Sequence, residues 1–358
     1  MGTEERRVRV GFIGCGGHSF RWIYPSLQFA PVELIATCDT RDDRAGQYAR
    51  QFGARRSYTD HREMLEREDL EGVFIVTGYD AEGRPSYPPL AADCLRAGCH
   101  VWMEKPPAAT AAEIETLIQV SRETGRFAMV GFKKCFYPAI EKVKEILGRE
   151  EFGRPWHIYV RYPEALPSEE DKRSLTGSAL HAFLDHICHP ASILVYLMGP
   201  AHSLTYRRAP SGAGFALLRF AEDAVGCLDF AARQSGTSPL ERLEVVGDGA
   251  NVVVDNGVRL IYYRPGGRGR GGYAGALSYI GDDAGAPMLW EPQFSLASMD
   301  AKTLALEGFL GEVTYFARCI MEGREPEKAG LADALGIMRI YEAFLQPEGE
   351  EVALDATV

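Results

Sequence analysis

Positions 14 to 19 of this 358-residue chain read Gly14-Cys15-Gly16-Gly17-His18-Ser19, between an apolar run and a mixed one. Gly14 and Gly16 hold the first two places of a G-x-G-x-x-G pattern, and Ser19 stands where the third glycine would be. The first glycine permits a tight turn, the second lets backbone approach a pyrophosphate at a helix N-terminus, and the third place needs only a small residue. Asp39 ends the next apolar run, roughly 20 residues on, where a carboxylate accepts hydrogen bonds from ribose hydroxyls. The combination points to a dinucleotide. A carboxylate repels a 2′-phosphate, so NAD is expected rather than NADP, although Arg41 stands close enough to oppose that preference.

Three further residues have types suited to proton handling. Lys105 follows a strand-like run, and strand C-termini of a doubly wound sheet open onto the ligand crevice. An ammonium there can bind a hydroxyl and stabilise the alkoxide that forms as hydride leaves. Asp185 and His189 stand four apart on a helical stretch and share a face. An imidazole titrating near neutrality suits proton transfer. His181, Asp185 and His189 form one stripe that resembles a two-histidine, one-carboxylate metal set. All three lie on one helix, whereas a metal needs ligands converging from elsewhere, so no metal is expected.

The elements that position these groups alternate. Apolar runs at Val8–Ile13, Val32–Cys38, Val73–Val76, Cys99–Met103 and Phe127–Phe132 are separated by helical segments at Ser19–Phe29, Asp42–Phe52, Pro88–Ala97 and Ala111–Thr124. Strand, helix, strand at these spacings means parallel crossovers and a doubly wound sheet. After Pro138 the rhythm changes. Helices at Pro138–Leu147 and Leu180–Met198 accompany strands at Trp156–Tyr162, Ser203–Arg208, Gly214–Phe220, Ala224–Ala232, Glu241–Gly247, Asn251–Asp255 and Arg259–Tyr263. Short connections between consecutive strands imply an antiparallel sheet. Gly266–Gly275 is rich in glycine and arginine and reads as a mobile loop. Helices near Leu304–Met321 and Leu331–Phe344 close the chain. The expected fold class is therefore α/β: a Rossmann domain over 1–130, then an α/β domain with an open, mostly antiparallel sheet over 131–358.

Bulk properties narrow the partners. The formal net charge of −11 argues against nucleic acid, since binding phosphates needs a basic surface. No apolar run approaches the roughly 18 residues of a membrane span. The charged start carries no secretory pattern, and the acidic residues after Gly2 fit myristoylation poorly. The 8 cysteines are scattered without a CxxC pair, which suits reduced thiols and a cytoplasmic location.

Val101-Trp102-Met103-Glu104-Lys105-Pro106, with the glycine loop upstream, resembles the glucose–fructose oxidoreductase/inositol dehydrogenase (Gfo/Idh/MocA) family. The likeness extends through Ala97-Gly98-Cys99-His100-Val101, Val130-Gly131-Phe132-Lys133-Lys134, the Asp185 and His189 pair, and the closing Asp333-Ala334-Leu335 helix. It implies hydride transfer between NAD and a secondary hydroxyl of a sugar, cyclitol or glycoside. Lys105 would be the catalytic lysine, His189 the general acid/base, and Asp185 the group that holds the substrate and tunes the site. Gly14, Cys15, Gly16, Gly17, His18, Asp39, Thr77, Glu104 and Lys105 would contact the cofactor, and Lys133, Lys134 and His186 the substrate. Of the two lysines, one is expected on a substrate hydroxyl and the other facing solvent. The resemblance also implies a homodimer or homotetramer formed through the open sheet. A redox-assisted lyase or glycosidase and a non-catalytic sugar sensor are the competing readings. Four positions depart from the family pattern. Leu180 and His181 replace a glycine pair, and Tyr87 falls at a common histidine position after an insertion around Asp80–Arg84. Pro190 replaces an aspartate and is expected to disturb the helix at His189.

Overall fold

The computed structural model describes residues 6–173, 178–265, 285–292 and 302–354. The glycine-rich loop expected at Gly266–Gly275 lies outside them. The described residues form two compact units, 6–136 with 302–339, and 137–292 with 340–354.

The first unit is built on a six-stranded parallel sheet. Its strands are β1 (Val8–Ile13), β2 (Val32–Cys38), β3 (Arg56–Tyr58), β4 (Gly72–Ile75), β5 (His100–Met103) and β6 (Ala128–Val130), in spatial order β3-β2-β1-β4-β5-β6. This is the doubly wound dinucleotide-binding order, with its switch point between β1 and β4. Every residue of β4 is buried, because helices cover both faces. Local signals set the helix limits. Asp42–Phe52 stops at Gly53, whose φ is +79°. Ala111–Thr124 starts at a capping box between Thr110 and Glu113 and stops at Gly125. The segment after the glycine loop is a π-turn, Ser19–Ile23, running into a short helix, Tyr24–Leu27.

The helix expected over Leu304–Met321 is two helices, Lys302–Leu306 and Phe309–Glu322. Gly308 breaks them apart with φ +76°, and a Cβ there would stand 2.2 Å from Lys133 O. The longer helix seats on the parallel sheet. Phe316 meets the Phe74 and Phe127 rings at 5.2 and 5.9 Å. A Cβ at Gly72 would lie 3.0 Å from Ile320, so the strand begins where the helix needs room.

The second unit carries a nine-stranded sheet of β7 (His157–Tyr162), β8 (Ser203–Arg208), β9 (Gly214–Arg219), β10 (Val225–Phe230), β11 (Arg242–Val246), β12 (Asn251–Asp255), β13 (Arg259–Tyr263), β14 (Met288–Trp290) and β15 (Val352–Ala353). The order is β14-β13-β12-β11-β7-β10-β9-β8-β15. All neighbours are antiparallel except β7 and β10. Buried residues alternate along β7 and β9, as a sheet covered by helices on one face requires. Its core gathers Phe183, Phe230 and Phe344, with centroids 5.3–5.9 Å apart.

The helix Ser178–Met198 runs through Pro190 without interruption, which corrects the expected break. An interior proline costs about 3 kcal/mol. Burial of Phe183, Leu184, Ile187, Ile193 and Leu194, at about 1.5–3 kcal/mol each, outweighs it. Ser192 Oγ donates to His189 O at 2.8 Å at the proline turn.

Candidate active site

In the first unit β1 ends at Gly14, whose φ is +106°. A Cβ there would stand 1.9 Å from Val76 O, and Val76 N donates to Ile13 O at 2.8 Å, so β1 and β4 cannot separate. At Gly16 and Gly17 a Cβ would meet nothing within 4 Å. Ser19 does the work of the missing third glycine. It is fully buried, and its Oγ accepts from Gly16 N at 3.0 Å and donates to Gly16 O at 2.8 Å. Tyr48 donates to the same carbonyl at 3.0 Å. Asp39 accepts from Cys15 N at 2.8 Å and from Arg41 N at 3.0 Å. The Arg41 side chain binds Asp43 through two nitrogens, at 3.1 and 2.7 Å.

The glycine loop, Asp39 and Arg41 line a cleft of about 560 Å³ with Thr77, Tyr79, Ser86 and Leu90. Burial pushes the Cys15 thiol up to about 11, so it places no anion beneath the glycine loop at neutral pH. Two features of the cleft fit a dinucleotide. Gly16 and Gly17 present backbone with no side chain in the way, and Thr77 Oγ1 is buried without a hydrogen-bond partner. Tyr87, at the departing position, is buried and donates to Thr77 O at 2.7 Å.

The end of β5 adds a charged group to this face. Glu104 is 4% exposed. One of its carboxylate oxygens lies 2.9 Å from His18 Nε2, and the other accepts from Lys105 N at 2.9 Å. The strand thus ties the backbone of Lys105 to the head of the glycine loop. Gly131 makes room, since a Cβ there would stand 2.7 Å from Trp102 and 3.4 Å from Glu104 Cδ. His18 meets Phe309 edge-on at 6.0 Å, and Trp22 stacks on Phe309 at 5.2 Å. Neither Lys133 nor Lys134 faces solvent as expected for one of them. Lys134 is buried, and Lys133 bonds Glu307 Oε2 at 2.8 Å over the Phe309 ring. The turn Lys133–Phe136 that carries them lies under the helix Phe309–Glu322, which covers it.

In the second unit Asp185, His186 and His189 lie on the helix Ser178–Met198. His186 Nδ1 pairs with Glu164, just beyond β7, and the Tyr162 ring sits 6.4 and 6.1 Å from the His186 and His189 rings. Burial alone would raise the Glu164 carboxyl. The hydrogen bond from His186, with the Ala165 N–H, instead carries it below the usual carboxylate range. Asp185 Oδ2 stands 4.0 Å from His186 Nε2. Among the described residues no three-ligand cluster suited to a metal occurs.

Three groups escape a reading of the sequence. Glu164 and Tyr162 are joined to the helix by strand–helix packing that no spacing reports. Glu312 stands in the first turn of an amphipathic helix, yet it is fully buried.

Parallel strand order, glycine turn and acidic residue together define a Rossmann dinucleotide-binding protein. Residues 8–132 match the NAD-binding Rossmann fold of the Gfo/Idh/MocA oxidoreductases, and residues 140–253 match the C-terminal domain of that family. The chain belongs to the Gfo/Idh/MocA family, and its cofactor is NAD. It is 22% identical over 261 residues to a myo-inositol 2-dehydrogenase of Thermotoga maritima, spanning 70% of this chain and 75% of that one. Two solved structures share the fold. One is an oxidoreductase from Agrobacterium radiobacter in complex with NAD+, L-tartaric acid and magnesium. It has a TM-score of 0.73 and 17% identity over 97% of this chain and 98% of that one. The other is a levoglucosan dehydrogenase in complex with NADH, with a TM-score of 0.73 and 18% identity over 95% and 96%. Among the described residues no helix is long and apolar enough to cross a membrane.

Proposed function

We propose that the protein oxidises, reversibly, a secondary hydroxyl of a sugar, cyclitol or glycoside. The observation that carries this reading is the end of β5. The backbone of Lys105 is fixed by buried Glu104, which also holds His18 of the glycine loop. Bound NAD supplies the hydride acceptor. Lys105 binds the reacting hydroxyl and stabilises the developing alkoxide. His189 takes the hydroxyl proton, and Asp185 orients the substrate. His186, fixed by Glu164, binds a further hydroxyl. The preference for NAD over NADP rests on Asp39. Arg41, engaged by Asp43, leaves that carboxylate to face a 2′-phosphate.

The test is formation of reduced nicotinamide across a panel of inositols, pentoses, hexoses and glycosides, with Lys105→Ala beside the wild type. The wild type should turn over at least one, and Lys105→Ala should lose roughly 10²–10⁴-fold in kcat while still binding NAD. Tight NAD binding without turnover on any of them would refute the reading.

Phe215, Leu217 and Val225 are each about half exposed and share one face of β9 and β10, with Ala216 and Leu218 buried on the other. This apolar face supports self-association of the chain as a homodimer or homotetramer. Sedimentation should then show the pair Phe215→Asp and Leu217→Asp as a monomer. An unchanged oligomer would exclude this face.

A further inference from the structure

Glu312 lies in the first turn of the helix Phe309–Glu322, with no exposure to solvent. Neither of its carboxyl oxygens has a hydrogen-bond partner. The charged groups whose fields act on it are Glu104 at the end of β5 and Lys133 in the turn after β6. Lys133 is bound to Glu307 at 2.8 Å and lies over Phe309, so its charge is already shared. Glu104 repels a second negative charge. A helix N-terminus favours an anion only weakly, far less than burial of an isolated carboxylate disfavours it. Burial, then Glu104, carries Glu312 well above the ordinary carboxylate range, against the pull of Lys133.

The Glu104 carboxylate lies 2.9 Å from His18 Nε2, and the His18 side chain is 44% exposed. Glu104 and the half-exposed His18 thus meet at the strand end that carries Lys105, and the Glu104 charge opposes ionisation of Glu312. The two oxidation states of the cofactor differ by one positive charge on the nicotinamide ring. A positive charge nearby favours two carboxylates over one, whereas a neutral ring does not.

We propose that Glu312 holds a proton that is lost to solvent when NAD+ binds and retained when NADH binds. This rests on the reading of Lys105 as the group beside the reacting ring. By linkage, the ratio of the NAD+ and NADH dissociation constants then changes with pH, by at most tenfold per unit for one proton. NAD+ gains relative to NADH as pH rises.

The test is calorimetric titration of wild type and Glu312→Gln with each cofactor. Running it in buffers of different ionisation enthalpy over a pH series counts protons directly. Wild type is expected to release up to one proton with NAD+ and none with NADH, and to show the pH-dependent ratio. Glu312→Gln, neutral at every pH, should release none and show a flat ratio. Infrared difference spectra of the wild type supply a second measurement that needs no variant: the band of a protonated carboxylic acid should disappear with NAD+ and persist with NADH. Equal proton counts for the two cofactors, or release that survives in Glu312→Gln, would overturn the proposal. Failure of both cofactors to bind would overturn the cofactor assignment itself.

Discussion

Replacing Gly16 by alanine should separate binding from stability. Gly16 has no positive φ, and the added methyl meets no atom within 4 Å. The folded protein therefore gains no strain. The unfolded chain loses freedom, which stabilises the fold by about 0.4–1 kcal/mol. The same methyl projects into the space where backbone must approach a pyrophosphate. Loss of that approach should raise the NAD dissociation constant at least about tenfold, or about 1.4 kcal/mol. Gly14→Ala is the control with the opposite signature. Its φ of +106° and the 1.9 Å approach to Val76 O predict a loss of about 3 kcal/mol or more. Urea unfolding of the cofactor-free proteins and titration with NAD read the two effects separately. The reasoning fails if Gly16→Ala binds NAD as the wild type does, because the open space would then not hold the cofactor. It fails equally if Gly16→Ala is destabilised like Gly14→Ala.

Asp39→Ala removes the acceptor of Cys15 N and Arg41 N and the carboxylate that disfavours a 2′-phosphate. It should weaken NAD by about tenfold or more and narrow the gap between NAD and NADP in binding titrations; a preserved gap would place the discrimination elsewhere. His100 is held down to about 4 by burial, and its Nδ1 accepts from Phe127 N at 3.2 Å. Because the folded value lies below the unfolded one of about 6.5, the unfolded chain takes up a proton first as pH falls. The stability contributed by neutral His100 is complete above pH 6.5 and is lost towards pH 4. The slope is at most about 1.4 kcal/mol per pH unit, less with solvent screening of the half-buried ring. His100→Gln should flatten that part of the urea midpoint profile, and an unchanged profile would assign the slope to other groups.

The glycine loop, the strands at Val8–Ile13 and Val32–Cys38 and the helices at Asp42–Phe52 and Ala111–Thr124 were legible for physical reasons. Strands buried on both faces are written as apolar runs, and capped helices carry their limits in one or two residues. β3 was not legible, since Arg56-Ser57-Tyr58 is a short edge strand with two exposed residues. The helix His61–Arg67 was missed beside it, although Asp60 caps it by accepting from Arg62 N. The break at Gly308 depends on the position of Lys133 O, which periodicity does not carry. The same limit hid Glu164 and Glu312. Each acquires its meaning from a residue on another element, His186 for the first and Glu104 for the second.

The return of residues 302–339 to the first unit sets an order of events during synthesis. When residue 136 has left the ribosome, the parallel sheet still lacks the helix that covers Phe74 and Phe127. The ribosome must add the whole of 137–301 before that helix exists. At roughly 5–20 residues per second this takes on the order of ten seconds or more. Throughout that interval the nascent chain presents an aromatic sheet face to its surroundings. Protease resistance of the dinucleotide unit should accordingly appear only in chains long enough to include Glu322.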